Sequence, residues 1–389
     1  MAKPELVLIG NYDRLLVNLA KPFIRSGFGV TVVTPSNTRV SSTKGLTRFV
    51  EIPRDNEIEF LEYLEGNPAI IADLSGTFIW CSDSIMNRVF KSKLPETLKN
   101  RVLPVGNSGV RKILGSKSGQ VEFFKECGVV YPSSFVVSAP SDFIETSKWQ
   151  VTFVKGDRLG RGVFVREYEV FTKDEIAEIP QDWYPLTLQE KMVGDFVSVE
   201  AFYANGNLVC WMYSISMTFD AKFGNSTSRI YKEPESLQFL ETLEILGRAG
   251  SLNGPVNTSF IRESSTGNFY IFEFDARPTV WHHLWEFFNL PLLSAWSGEL
   301  TAAVTPKLDR PVRVYEPSRV FEQELAAGRP INALKVLFRS EIKDLGIPVP
   351  SAFYDRSELI RNFTRAFSLL FSTFTKKFRS RILNPLSGG

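Results

Sequence analysis

Residues 269–278 read Phe-Tyr-Ile-Phe-Glu-Phe-Asp-Ala-Arg-Pro, and this stretch decides how the rest of the chain is read. Glu273, Asp275 and Arg277 alternate with Phe274 and Ala276. On a strand of period two, all three polar groups leave one face. Two neighbouring carboxylates repel each other unless a cation lies between them. Mg²⁺ takes hard oxygen ligands of this kind and shares them with phosphate oxygens. An arginine just beyond can hold an anionic intermediate. The plainer alternative is a surface strand end with scattered charges.

The residues upstream sharpen the metal reading. Val256-Asn257-Thr258-Ser259-Phe260-Ile261 leads into a turn-rich cluster at 263–268 and then into the acidic strand. That spacing predicts a hairpin with a short loop. A turn centred near Thr266 puts Ser259 opposite Glu273 and Asn257 opposite Asp275. Ordinary cross-strand hydrogen bonding does not explain why the whole polar set shares one face.

The chain of 389 residues is 43% hydrophobic and 23% charged, as expected of a globular protein with two or three domains. Its formal net charge of +2 gives no strong attraction to nucleic acid. No run of ~18 apolar residues suggests a membrane span. The start lacks the pattern of a signal peptide. Cys81, Cys127 and Cys210 are distant and odd in number, which fits a reducing, cytoplasmic setting rather than a disulfide scaffold or zinc site. His282 and His283 are the chain's two histidines, too few for a multi-histidine metal site.

Strand and helix alternate over residues 5–110. Apolar strands are expected at 6–9, 30–33, 69–72 and 102–105, and helices at 15–25 and 57–65. This pattern predicts a parallel sheet with helices on its faces. The first turn, Gly10-Asn11-Tyr12-Asp13, is not a Gly-x-Gly-x-x-Gly, so dinucleotide binding is not inferred. A helical segment follows at 111–135, with Gly128 as its stop and Pro132 beyond. Residues 151–275 are β-rich, interrupted by a helix near 235–249, and 281–303 read as helical. Prolines at 311, 317, 330, 348 and 350 mark a change of character. The expected domains are therefore 1–112, 113–310 and 311–389.

Two further motifs bear on chemistry. The strand 151–155 ends in Lys155 and runs into Gly156-Asp157-Arg158-Leu159-Gly160-Arg161-Gly162. Glycines let backbone N–H groups approach phosphate oxygens, and Lys155 adds a point charge. Taken alone, such a hairpin is as readily a plain turn. Gln189-Glu190-Lys191-Met192-Val193-Gly194-Asp195 precedes another strand. Its backbone and carboxylates suit an adenine and ribose, or a simple linker.

The order of these pieces resembles the ATP-grasp superfamily of ligases over roughly residues 5–300. Carbamoyl-phosphate synthase, biotin carboxylase and D-aspartate ligase are members. The resemblance implies an α/β and α+β architecture: a Rossmann-like domain ahead of an ATP-grasp fold, with a helical C-terminal appendage. It implies that Lys117 and Lys155 contact nucleotide phosphates and that the loop Gly160-Arg161-Gly162 folds over them. It further implies that Glu190, Lys191 and Met192 form the hinge reading adenine, and that Glu273 and Asp275 bind Mg²⁺ (or Mn²⁺). Arg277 then steadies an acyl phosphate. The chain departs from the family pattern in three places. Ser259 stands where an acidic residue or glutamine is usual, with Asn257 as stand-in metal ligand. Phe196 replaces the ribose-binding glutamate, with Asp195 as substitute. The metal strand carries Glu-x-Asp rather than Glu-x-Asn.

The implied activity joins a small-molecule acid to an amine, with ATP consumed through an acyl phosphate. The alternatives are a catalytically weak ATP-binding protein and a membrane-peripheral scaffold. Arg229 and Lys232, in a polar loop expected at 219–234, are either substrate contacts or solvated. His282 or His283 could take a proton from an amine, or be a packed helix start. Trp281, Trp285 and Trp296 read as core. In the tail, Leu359, Phe363, Phe367, Leu370, Phe374, Phe378 and Ile382 recur at helical spacing among basic residues. Such a helix over 357–383 could pack on the body, join a homodimer, or lie on an anionic membrane surface.

Overall fold

The computed structural model describes residues 3–35, 39–52, 57–143, 149, 151–157, 164–169, 171–222, 224–337 and 347–348. Gly160, Arg161 and Gly162, and the tail segment 357–383, lie outside the described residues.

The first sheet contains strands β1 (Glu5–Ile9), β2 (Gly29–Pro35), β3 (Arg48–Ile52) and β4 (Thr77–Trp80). All pairings are parallel, in the order β3-β2-β1-β4. Leu6 to Ile9 are buried on both faces, which is why this strand reads as a continuous apolar run. Helix Asp13–Arg25 packs through Leu16, Leu19 and Phe23. Two strand expectations are corrected. Residues Ala69–Ala72 form a short helix begun by Pro68, whose φ of −62° and ψ of −21° are already helical. Val102 closes helix Glu96–Val102, and Val105 makes one isolated bridge to Leu252. Short apolar runs carry no period that separates strand from buried helix.

The second sheet is antiparallel. Strands β5 (Ser134–Val137), β6 (Thr152–Gly156), β7 (Val165–Tyr168) and β8 (Leu186–Glu190) lie in the order β5-β8-β6-β7. It closes over its own small core of Val154, Phe171, Ile176 and Leu188.

The third sheet is the largest. Its strands are β9 (Gly194–Ala204), β10 (Asn207–Phe219), β11 (Ser226–Tyr231), β12 (Gly254–Glu263), β13 (Phe269–Asp275), β14 (Val312–Tyr315) and β15 (Ile347–Pro348). They run in the order β13-β12-β9-β10-β11-β14-β15. Its faces follow the period of two. Val197, Val199, Ala201 and Tyr203 pack toward helix Gln238–Gly250 through Phe239, Leu243 and Leu246. Phe202, Met212 and Tyr231 pack with Phe23, Trp281 and Trp285 of the other core. The expected helical stretch 281–303 is two short helices, Leu284–Phe287 and Leu292–Trp296, and all three tryptophans there are packed. The polar stretch 219–234 is a correction as well, because β11 (Ser226–Tyr231) runs through its middle. Its serines, threonine and arginine are buried, so a loop-like composition conceals an interior strand.

Gly76 introduces β4 at a φ of 110°. A side chain there would meet the Glu5 backbone. We expect Gly76→Ala to destabilise the fold by about 2–3 kcal/mol, read as a lower denaturant midpoint with an unchanged slope.

Candidate functional site

The hairpin of β12 and β13 has the expected register: Asn257 faces Asp275 and Ser259 faces Glu273. A bulge lies between Ser259 and Phe260, where Phe272 is the extra residue. This shift lets Ile271 and Phe274 both enter the core while Glu273 and Asp275 share the opposite face. β13 is an edge strand, and its free edge is met by a side chain of helix Lys117–Cys127 and, beyond that helix, by the Val130 carbonyl, which accepts the Ile271 N–H at 3.0 Å. The buried Gln120 amide donates to the Phe274 carbonyl at 2.6 Å and accepts from its N–H at 3.3 Å. One turn earlier, the Lys117 ammonium pairs with Glu273.

The charges along this edge interlock. Arg277 pairs with Asp83 and lies 3.4 Å from Asp275. Burial by itself would lower the Lys117 ammonium, but Glu273 and Asp275 outweigh it and hold the pKa above the usual range. The same balance holds for Arg277, with Asp83 and Asp275 prevailing over burial. Burial pushes the Asp275 carboxyl up to about 7; Glu273 and Asp83 add to the rise and Arg277 opposes it. Lys155 has no carboxylate partner among the described residues. Its ammonium donates to the Gln189 amide oxygen at 2.6 Å and sits 5.3 Å from the Phe272 ring centre. Burial and the nearby Lys117 charge push its pKa down to about 8.

Two cavities meet at this strand. One, of about 480 Å³, lies between the second and third sheets. Lys117, Lys155, Glu190, Lys191 and Met192 line it, with apolar walls at Phe153, Val165, Ile261 and Phe272. The other, of about 570 Å³, is polar and lies at the carboxyl ends of β1 and β4. Asn11, Tyr12, Ser82 and Ser84 line it from the first sheet, and Arg229, Asn257 and Ser259 from the third. In the order β3-β2-β1-β4, the chain reverses direction across the sheet between β1 and β4, the place where open α/β sheets bind ligands. Asp83, Glu273, Asp275 and Arg277 line both cavities.

The expected residues therefore divide. Lys117, Lys155, Glu190, Lys191, Met192, Asn257, Glu273, Asp275 and Arg277 border one cavity or both. Asp195 does not: it is exposed, lies opposite Arg262 on β12 and is 3.9 Å from its guanidinium. Strand alternation turns it away from the face presented by its neighbour Phe196. Lys232 pairs with Glu235 at 2.9 Å and lines neither cavity. Arg229 is buried in the wall of the polar cavity, paired with Glu200 and 4.7 Å from the Trp281 ring centre.

For His282 the structure favours the packed alternative. Its Nδ1 accepts the Thr279 N–H at 2.9 Å, leaving Nε2 to donate to the Val256 carbonyl at 3.2 Å. Both nitrogens are engaged inside the core, so it is no proton acceptor for a substrate. His283 is buried too and lines neither cavity. Sequence reasoning missed Asp83 and Gln120. Asp83 was detectable from Cys81-Ser82-Asp83-Ser84 had the strand been placed at 77–80; Gln120 carried no signal beyond its place one turn after Lys117.

The donor set suits a hard cation. Glu273, Asp275 and Asn257 offer oxygens on one face, and the buried Asn257 Oδ1 has no hydrogen-bond partner among the described residues. No group of three or more His, Cys, Asp or Glu there is arranged to hold a metal. A bound ion would need ligand oxygens from elsewhere, which is how Mg²⁺ commonly binds with phosphates.

Comparison with solved structures places this architecture. An L-amino acid ligase from Bacillus licheniformis superposes with a TM-score of 0.57 at 16% identity, covering 80% of this chain and 79% of that one. The N5-carboxyaminoimidazole synthetase of Staphylococcus aureus, complexed with ADP, gives 0.54 at 15%, covering 80% and 82%. The biotin carboxylase domain of a Hydrogenobacter thermophilus 2-oxoglutarate carboxylase, in complex with MgADP, gives 0.55 at 13%, covering 78% and 72%. The chain has the ATP-grasp fold. No family model and no curated protein matches the sequence. Among the described residues, no helix is long and apolar enough to cross a membrane.

Burial pushes His282 down to about 3, assisted by the Arg229 and Arg277 charges and opposed by its bond to Val256. Its unfolded value is about 6.5, so between these values the unfolded chain binds the extra proton. Stability is then full above pH ~6.5 and falls as the pH drops toward 3. We expect His282→Gln to flatten the decline in unfolding free energy between pH 7 and 4; an unchanged slope would refute this account of the residue.

Proposed function

We propose that this ATP-grasp chain is an ATP-dependent carboxylate–amine ligase acting on a small acid and an amino acid or similar amine. The observation that carries the reading is the acidic strand standing as a shared wall between an apolar, lysine-bearing cavity and a polar one. ATP fits the first: adenine against Glu190, Lys191 and Met192, and phosphates toward Lys117 and Lys155. The acid and amine fit the second, where Arg229 and Arg277 offer positive charge.

A carboxylate oxygen of the acid attacks the γ-phosphorus, the bond to the ADP oxygen breaks, and an acyl phosphate forms. The amine nitrogen then attacks the acyl carbon. A C–N bond forms, the C–O bond to phosphate breaks, and phosphate and a proton leave. In this reading the protein contributes position and charge rather than covalent chemistry. Lys155, which makes no ion pair among the described residues, meets the phosphates with its ammonium. Lys117 exchanges Glu273 for a phosphate oxygen. Arg277 reaches the acyl phosphate from the boundary between the cavities. Glu273, Asp275 and Asn257 would hold Mg²⁺ or Mn²⁺, which supplies charge neutralisation at the phosphates when bound.

The test is ADP release across pairs of amino acids and small acids. A productive pair should give turnover that Glu273→Ala and Arg277→Ala each reduce by about 100-fold or more. ATP binding without ADP release under every pair would instead indicate a nucleotide-binding protein without turnover. Asn257→Leu should raise the Mg²⁺ concentration needed for half-maximal nucleotide binding by about tenfold, measured by titration calorimetry.

A further inference from the structure

The turn joining β10 to β11 has a construction that the reaction above does not use. Asp220 organises it: one carboxylate oxygen accepts the Asn225 N–H at 2.7 Å, and the Asp220 N–H donates to the Asn225 carbonyl at 3.0 Å. A side chain at Gly224 would overlap that carboxylate. Phe219, Gly224 and Asn225 line both cavities. The Phe219 ring meets Phe196 edge-on, 5.2 Å between centres, and Phe196 meets Phe272 in the same way at 5.0 Å. The turn is thus continuous with the partition between the two cavities.

Two ion pairs grip it from opposite sides. Toward the nucleotide cavity, Lys222 lies 2.8 Å from Glu167 of β7, which also holds Lys191 at 2.7 Å. Toward the polar cavity, the second Asp220 oxygen lies 3.3 Å from Arg319 of helix Pro317–Ala326. Gln323 of that helix donates to the Phe219 carbonyl. The helix is itself anchored by Glu316, which accepts the Arg319 N–H at 2.9 Å, pairs with Arg14, and donates its own N–H to Thr227 of β11 at 2.8 Å. Arg319 also lines the polar cavity.

We propose that Arg319 and Gln323 are positioning residues, fixing the β10–β11 turn so that it forms the wall of the polar cavity. Helix Pro317–Ala326 is then part of the substrate site rather than an accessory. The claim about the turn stands on geometry alone; the claim about substrate rests on the ligase reading.

The experiment uses the full chain with Arg319→Ala/Gln323→Ala and Arg319→Lys. Amide hydrogen exchange, read over 219–225 and over the rest of the chain, is measured with Mg–ATP affinity. With a productive pair in hand, the KM of the acid or amine is added. Losing an ion pair and a hydrogen bond should speed exchange in the turn about tenfold, with exchange elsewhere unchanged. The acid or amine KM should rise about tenfold and kcat much less, and Arg319→Lys should recover most of the loss. Unchanged exchange in the turn overturns the proposal, and so does faster exchange throughout the chain, which would make these residues merely structural. A local change in exchange without turnover under any pair would keep the anchor and reject the ligase reading.

Discussion

The site depends on how buried like charges are kept together. Asp83, Glu273 and Asp275 face the same junction, and carboxylates so placed are not stable as charges without compensation. Lys117 and Arg277 supply it, one from the helix that covers the strand edge and one from the strand's own continuation. These contacts also hold separate parts of the fold together: Asp83 follows the first sheet, Lys117 begins the covering helix, and Glu273 belongs to the third sheet. Electrostatic balance and assembly of the fold are therefore one constraint.

That constraint explains the form of the partition. The Phe272 bulge allows the strand to remain packed while presenting its acids, and Gln120 fixes the backbone between them. Lys155 feels the Glu273 and Lys117 charges but makes no ion pair among the described residues, where its ammonium meets the Gln189 amide and the Phe272 ring face. A cation so placed is suited to an incoming anion. On the far side, the polar cavity draws its walls from the first sheet, the third sheet and helix Pro317–Ala326.

The hairpin and its facing pairs were legible because a period of two and a compact turn leave little freedom in register. Helix Lys117–Cys127 was legible from its stop, with Gly128 in the left-handed region at a φ of 65°. Other features were hidden for physical reasons. β4 was displaced because residues 69–72 form an equally apolar run, and with it went Asp83. β11 was read as a loop because a strand lining a polar cavity is polar in the interior. Asp195 was misassigned by its adjacency to Phe196, since neighbouring strand residues point to opposite faces. Arg319 lies about forty residues beyond the acidic strand, and only the three-dimensional fold brings it to the cavity.

The central claim is that a metal–triphosphate complex docks on the edge formed by Glu273 and Asp275. A crystal structure of the chain with Mn²⁺ and a non-hydrolysable ATP analogue tests it most directly. The anomalous signal of manganese should lie at bonding distance from both carboxylates, with Lys117 turned from Glu273 to the phosphates. Manganese bound elsewhere, with the Lys117–Glu273 pair intact and the nucleotide present, would contradict the account.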